Sequence, residues 1–142
     1  MNNRLKAYTQ DSLRTQVAGA DPYQLIQMLM AGAIANINYA KGAIQRGELE
    51  NKAKYLSKSQ AIIESLRTSL NLDVGGEVAQ NLNDLYLYMV DRLADVSVSS
   101  NIEILDEVSG LVQQIKSAWD AIPQANRDEA LGQLEPAAAS GA

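Results

Sequence analysis

Apolar residues in the body of the chain recur at alternating intervals of three and four residues, the spacing of one face of an α-helix. Three stretches with this spacing begin near Ile26, Leu49 and Val78. The fourth stretch is the most regular, with apolar positions at Leu105, Val108, Val112, Ile115, Trp119 and Ile122. No proline lies between residues 23 and 122 to interrupt the pattern. The pattern predicts four amphipathic helices.

Capping and turn residues predict where these helices begin and end. Asp21, followed by a proline, can accept hydrogen bonds from free amides, so the first helix is predicted to begin there and to end near Gly47. The second helix is predicted to end near Leu72, and the adjacent Gly75 and Gly76 are predicted to form the turn before the third helix. A polar turn after residue 96 would lead into the fourth helix.

Short connections between four helices force neighbouring helices to run antiparallel. The predicted fold is therefore all-α, an antiparallel up-down four-helix bundle over residues 21–122. Residues 1–20 are predicted to form a short N-terminal helical arm, too weakly amphipathic to hold a helix alone. Residues 123–142, in which small and polar side chains dominate, are predicted to be a mobile C-terminal tail, and its last residues are equally consistent with an added linker.

The composition excludes most catalytic chemistry. The chain has no Cys and no His, which excludes disulfides, Cys or imidazole nucleophiles, imidazole bases and the usual zinc sites. Carboxylate pairs four residues apart, such as Glu103 and Glu107, are typical of a solvated helix face. The glycine pair lacks the Lys and Ser or Thr of a phosphate loop. We therefore expect no enzyme activity, no metal and no cofactor.

Charge and hydropathy exclude two further classes of partner. The chain has 12 Lys and Arg against 17 Asp and Glu, a net charge of −5, and no basic run that could neutralise phosphates, so nucleic-acid binding is not expected. Its longest apolar stretch is far shorter than the roughly 20 residues that span a bilayer, and no secretory signal begins the chain. These features predict a cytoplasmic protein without membrane insertion.

The apolar residues exceed what one core can hold. Six consecutive apolar residues, Leu85 to Val90, cover every face of the third helix at about 100° per residue. One interpretation is a core rim with scattered surface apolar residues. The other is a hydrophobic groove for a partner helix. Under the second interpretation the candidate contact residues are Tyr8 of the arm together with Tyr55, Ile62, Leu72, Leu82, Tyr86, Leu87 and Val90.

Three segments resemble the FliS-type flagellin export chaperones: residues 22–34, PYQLIQMLMAGAI; residues 69–82, SLNLDVGGEVAQNL; and residues 85–89, LYLYM. With Trp119, the resemblance spans most of residues 5–122. It implies a cytoplasmic helical-bundle chaperone without catalysis or cofactor. Such a chaperone binds the disordered C-terminal segment of flagellin, prevents premature polymerisation, and passes the client to the type III export apparatus through an export-gate component.

Three positions depart from the family pattern. Ala31 and Asn71 stand where acidic residues are usual, and Leu87 stands where Asp is frequent. These departures affect the expected client specificity rather than the class of protein. A competing hypothesis is a structural or scaffold bundle that self-associates through the same apolar face, and a weak homodimer is considered with it.

The arm carries four apolar residues, Leu5, Tyr8, Leu13 and Val17, which are enough to cover part of a groove. We expect it to act as a displaceable lid over the client surface, because a bare apolar groove promotes self-association. The alternative is that Leu5 and Tyr8 contact the client or the export gate directly.

Overall fold

The computed structural model describes residues 21–132, and this part of the chain is helical and contains no β-strand. Its elements are α1 (Pro22–Gln45), α2 (Leu49–Thr68), α3 (Leu72–Ser99), α4 (Ile102–Asp120), a 3₁₀ turn (Gln124–Asn126) and α5 (Arg127–Leu131). The four long helices pack against one another, which confirms the predicted all-α bundle. The arm, with Tyr8, and residues 133–142 lie outside the described residues.

The predicted helix termini at both ends of α1 are confirmed. The Asp21 carboxylate accepts a hydrogen bond from the Gln24 amide at 2.8 Å, and Pro22 occupies the first helical position. After α1, Gly47 adopts a φ of 71°, which a residue without a Cβ does at little cost. Asn101 caps α4 in the same way as Asp21 caps α1, through a 3.0 Å hydrogen bond from the Glu103 amide. Local capping chemistry therefore sets these boundaries.

The predicted break at the glycine pair is present as a kink, but one helical turn precedes it, so α3 begins earlier than predicted. α2 ends at Thr68, and the Asn71 side chain accepts a hydrogen bond from the Val74 amide at 3.2 Å, which starts α3 at Leu72. Gly76 then has φ 57° and ψ −135°, so α3 is kinked after its first turn. The cap provided by Asn71 starts the helix earlier than the glycines suggested.

The helices form a ring in which each packs against the next, and the four seams are not equally close. The α1–α2 seam is the most extensive, the α2–α3 and α1–α4 seams follow, and α3 and α4 pack least closely. Ala33 and Ala40 of α1 are fully buried, and their small side chains allow neighbouring helices to approach. α1 therefore makes the most extensive contacts in the bundle, and the α3–α4 seam is the least closely packed of the four.

Most of the predicted core positions are buried or half-buried, and two that are strongly exposed begin the apolar stripes of their helices. The shared core consists of Ile26, Met30, Ala33, Ile37, Ala40, Leu56, Ile63, Leu66, Leu70, Tyr86, Met89, Leu93, Val96, Ile104, Leu105, Val108 and Val112. Leu49 and Val78 were predicted to begin the rows of apolar residues that face the core on α2 and α3, but they are 73% and 60% exposed. Leu49 is the first residue of its helix and Val78 follows the kink in α3, so neighbouring helices do not enclose them.

An aromatic stack fastens the start of α1 to the end of α4. The Tyr23 and Trp119 rings stack with centroids 5.1 Å apart, and the Tyr23 hydroxyl donates to the Trp119 carbonyl at 2.6 Å. In return, Trp119 Nε1 donates to the Tyr23 carbonyl at 3.2 Å.

The segment after α4 adds a further layer to this stack. The Arg127 guanidinium lies 4.2 Å from the Tyr23 ring centroid, within the range of a cation–π contact, and Leu131 packs against the core. The first part of the predicted tail is therefore helical rather than irregular, because these two residues anchor residues 124–131 to the bundle.

We expect Gly76→Ala to lower the free energy of unfolding by about 1–3 kcal/mol, because an L side chain is strained at the backbone angles of Gly76. Gly110→Ala is the matched control. Gly110 lies inside α4 with open space around an added Cβ, so this variant should gain about 0.5–1 kcal/mol from helix propensity. Urea unfolding of both variants measures the difference. Equal stability of the two would contradict a kink at Gly76.

Candidate functional site

Of the sequence-predicted contact residues, Tyr86 is the one that the structure places in the core. It is 3% exposed, and it packs within the shared cluster of buried side chains. The expectation that Tyr86 belongs to an exposed second face is therefore wrong. Among the six consecutive apolar residues of α3, Tyr86 and Met89 point into the bundle, while Leu87 and Tyr88 are exposed.

The remaining predicted contacts do not share one face of helices α2 and α3. Tyr55 faces α1, because its ring lies 5.2 Å from the ring of Tyr39, and Ile62 lies beside Gly32 of the same helix. We call the outer side of this seam the α1–α2 surface; Tyr39 is exposed there, and Lys54, Tyr55, Lys58 and Ile62 are half-buried. The sequence placed Tyr55 and Ile62 on a common face correctly, but that face adjoins α1 rather than α3.

Leu87 and Val90 belong to α3 and lie beside the flank of α2 that faces away from α1. Gln60 Nε2 donates to the Val90 carbonyl at 3.2 Å, so this part of α3 faces α2. On the same seam, near the C-terminal end of α2, Arg67 Nη1 donates to Asn83 Oδ1 at 3.2 Å. Leu72 is exposed at the start of α3, beyond both contacts. Apart from Leu82, the predicted contacts within residues 21–132 therefore divide among the core, two seams and one end of the bundle.

The α3–α4 seam is held together by polar side chains at the surface. Tyr88 donates to Glu107 Oε2 at 2.8 Å, and Arg92 Nε donates to Glu107 Oε1 at 3.1 Å. The hydrogen bond from Tyr88, with that from Arg92, lowers the pKa of the Glu107 carboxyl, and the same bond raises the pKa of Tyr88. We call Tyr88, Arg92 and Glu107 the polar clamp.

Beyond the polar clamp the seam is lined by apolar residues. Because α3 and α4 are antiparallel, the positions before Tyr88 on α3 face the positions after Glu107 on α4. We call this region the α3–α4 groove and define it by Val78, Leu82, Leu85, Tyr88, Leu111 and Ile115. Leu82, Leu85, Leu111 and Ile115 are half-buried against the core, while Val78 is exposed. The groove can accept apolar side chains from a partner.

Only Leu82 of the groove was among the predicted contact residues. Val78, Leu85 and Ile115 fitted the core stripes, so sequence periodicity assigned them to the interior. The signal that could have found the groove is the pair Leu111–Val112, which widens the apolar stripe of α4 on one flank. Periodicity alone does not show whether that flank is covered.

Charge is divided between the two halves of the bundle. Residues 22–63, which include α1 and most of α2, carry five basic and two acidic side chains. Residues 64–132, which include α3 and α4, carry four basic and twelve acidic side chains. The α1–α2 side is therefore net positive in a protein of net charge −5, and the α3–α4 side is strongly negative.

Within residues 21–132, no group of three or more acidic side chains is arranged to hold a metal ion. None of the helices in the same range combines the length and the apolar character needed to cross a membrane.

Comparisons with known proteins agree in one family. The model of the family described as "FliS: Flagellar protein FliS" matches residues 2–126. The chain is 40% identical over 123 residues to the flagellar secretion chaperone FliS of Vibrio cholerae, covering 87% of this chain and 90% of that protein. It is 42% identical over 118 residues to the flagellar secretion chaperone FliSB of Pseudomonas aeruginosa, with 83% and 94% covered. The match to FliS of Salmonella typhimurium is 38% over 127 residues, with 88% and 94% covered.

The burial of Tyr86 predicts how stability depends on alkaline pH. Burial raises the pKa of the Tyr86 phenol to about 12, above the value of about 10 in an unfolded chain. The contribution of the neutral Tyr86 phenol to the free energy of unfolding is therefore complete below pH 10 and is lost as the pH rises towards 12. By pH 11.5 this loss amounts to about 2 kcal/mol.

Urea unfolding of the wild type, Tyr86→Phe and Tyr39→Phe between pH 8 and pH 11.5 measures this loss. Tyr86→Phe should remove about 2 kcal/mol of the alkaline decline. Tyr39→Phe, a control at a 55% exposed ring, should leave the decline as in the wild type. The same decline in all three proteins would show that Tyr86 is not buried in solution.

Proposed function

Because the chain belongs to the FliS family of flagellar secretion chaperones, we propose that its client is the disordered C-terminal segment of flagellin and that this segment binds in the α3–α4 groove. The family consists of chaperones and not of enzymes, and membership gives this chain a role as a flagellar export chaperone with a flagellar protein as partner. The identity of that partner and the position of its site belong to the proposal.

The observation that carries the proposal is the open α3–α4 seam. Four large aliphatic residues are half-buried there, in the part of the seam that the polar clamp does not close. An amphipathic helix can place apolar side chains at three- and four-residue spacing into such a groove. The α1–α2 seam is less suited to this, because its two helices already pack closely along their length.

Binding in the groove accounts for the expected actions of the chaperone. The client would order on the groove and bury apolar area, so binding should show a negative heat-capacity change. A client segment covered in this way cannot use the same apolar residues to polymerise. In our proposal this takes place in the cytoplasm, and the complex is then passed to an export-gate component.

The other sequence-predicted contacts enter the proposal according to where they lie. Leu72 is near the end of the groove where α3 begins, so a client that extends past Val78 would reach it. Leu87 and Val90 would meet a client that continues round α3 towards α2. Tyr55 and Ile62 are across the bundle and would be contacted only by a client that encircles it. Tyr8 remains a candidate on the arm, whose roles as a lid or as a direct contact stay predictions.

The scaffold hypothesis uses the same groove in another way. An exposed apolar groove can also bind a second copy of the chain, which would give a homodimer rather than a complex with flagellin. Mass measurement at low concentration, with and without a flagellin C-terminal peptide, separates the two hypotheses. A chaperone gains one client, whereas a scaffold is already oligomeric.

We expect Val78→Asp to weaken binding of a flagellin C-terminal peptide by about 1–3 kcal/mol, because it places a charge where the client buries apolar side chains. Val98→Asp is the matched control: it makes the same substitution in the same helix, at a residue 90% exposed and distant from the groove. Titration calorimetry measures affinity, and thermal unfolding confirms that both variants are folded. If the two variants bind the peptide equally well, the groove is not the client site.

A further inference from the structure

We propose that the α1–α2 surface is a second docking surface, which binds an acidic segment of another protein while the client is bound elsewhere. This inference goes beyond the proposed function, because it assigns a different partner chemistry to a different side of the bundle. It depends on the arrangement of Tyr39, Lys54, Tyr55 and Lys58, and on the charge of α1 and α2.

Two tyrosines, of which Tyr39 is exposed and Tyr55 half-buried, form an aromatic pair on this surface. The ring centroids of Tyr39 and Tyr55 are 5.2 Å apart with a 50° angle between their planes, and Tyr39 is 55% exposed. A partly exposed tyrosine pair offers apolar ring surface together with hydroxyl groups, and such side chains are enriched in protein interfaces. Ile62 continues the apolar area two turns further along α2.

Lysine side chains border the aromatic pair. Lys54 Nζ lies 5.2 Å from the Tyr55 ring centroid, and Lys58 follows one helical turn later. Within residues 21–132, neither lysine forms an ion pair with a carboxylate. By contrast, Lys41 on the opposite flank of α1 is paired with Asp106 at 2.9 Å. Both ammonium groups of the surface can therefore bind carboxylates of a partner.

The surrounding sequence contains few competing carboxylates. α1 (Pro22–Gln45) and residues 51–63 of α2 contain no acidic residue. Of the three lysines in residues 51–63, Lys54 and Lys58 lie on this surface, while Lys52 is buried and donates to Ser97 and Ser100. In a protein of net charge −5, this side is a local positive region. Such a region attracts acidic segments and repels basic ones. The partner segment is therefore expected to combine acidic residues with aliphatic side chains that cover the tyrosine rings.

Charge argues against occupation by this chain's own arm. Residues 1–20 carry three basic residues and one acidic residue, so the arm has the same sign as the α1–α2 surface. The acidic α3–α4 side of a second copy has the opposite sign. The experiment must therefore distinguish a segment of another protein from a second copy of this chain. In the ring of four helices, the α1–α2 seam lies opposite the α3–α4 groove. Client and acidic partner can therefore bind at the same time.

The test uses a labelled 16-residue helical peptide with Leu at three- and four-residue spacing and Glu elsewhere, and a second peptide with Lys in place of Glu. Fluorescence anisotropy measures binding to the full chain, with and without saturating flagellin peptide. We expect the Glu peptide to bind at least 10-fold more tightly than the Lys peptide, and to weaken several-fold between 50 and 300 mM salt. Saturating flagellin peptide should leave its affinity unchanged.

Two double variants locate the site. Lys54→Gln with Lys58→Gln should weaken the Glu peptide by at least 10-fold. Lys41→Gln with Arg46→Gln removes the same charge from residues that are ion-paired to Asp106 and Glu48, and it should weaken binding less than 3-fold. Val78→Asp should bind the Glu peptide as the wild type does, so this test is independent of the proposed client site.

Four results would overturn the proposal. Equal binding of the Glu and Lys peptides would show that no acidic segment is selected. Equal losses in the two double variants would show that only overall charge matters. Displacement of the Glu peptide by flagellin peptide would assign the surface to the client. A dimer of the free chain that the Lys54 and Lys58 variant abolishes would make the surface a self-interface.

Discussion

The packing of α1 against both α2 and α4 is the constraint on which the rest of the structure depends. Ala33 and Ala40 are fully buried and allow close approach, and the stack of Tyr23 on Trp119 fastens the start of α1 to the end of α4. With α1 held on both flanks, α3 completes the ring mainly through α2 and packs least closely against α4. The bundle is therefore closed on one side and open on the other. That asymmetry allows one fold to combine a closely packed core with an apolar groove, which we propose to be the client site.

The polar clamp and the kink at Gly76 define the extent of the opening. Tyr88, Arg92 and Glu107 join α3 to α4 at the surface, so the groove begins where their hydrogen bonds end. At the other end, the positive φ of Gly76 breaks α3 after its first turn and leaves Val78 exposed. Polar and conformational features thus delimit an apolar region whose side chains are already half-buried, which limits the ordering that client binding requires.

The distribution of charge adds a second division to the same bundle. Acidic side chains predominate in α3 and α4, while α1 has none and the middle of α2 has only basic ones. An export chaperone has to hold a client and also be recognised by other proteins. Under our two proposals, opposite charge on opposite sides would allow these interactions to select different partners, since each side repels segments of its own sign.

The sequence by itself determined the helices, most of the core and the family. Asp21 and Asn101 act through contacts with residues two or three positions away, and the three- and four-residue stripes depend only on helical geometry, so local information was sufficient. Periodicity identifies which face of a helix is apolar, but not how closely the neighbouring helix covers it. For that reason periodicity places Tyr86 on an exposed face although it is buried, and Val78 in the core although it is exposed. It also groups Tyr55 with residues of α3, although Tyr55 lies against α1. Helix spacing around the ring, which sets these outcomes, arises from contacts between residues far apart in the chain, and only the tertiary structure decided it.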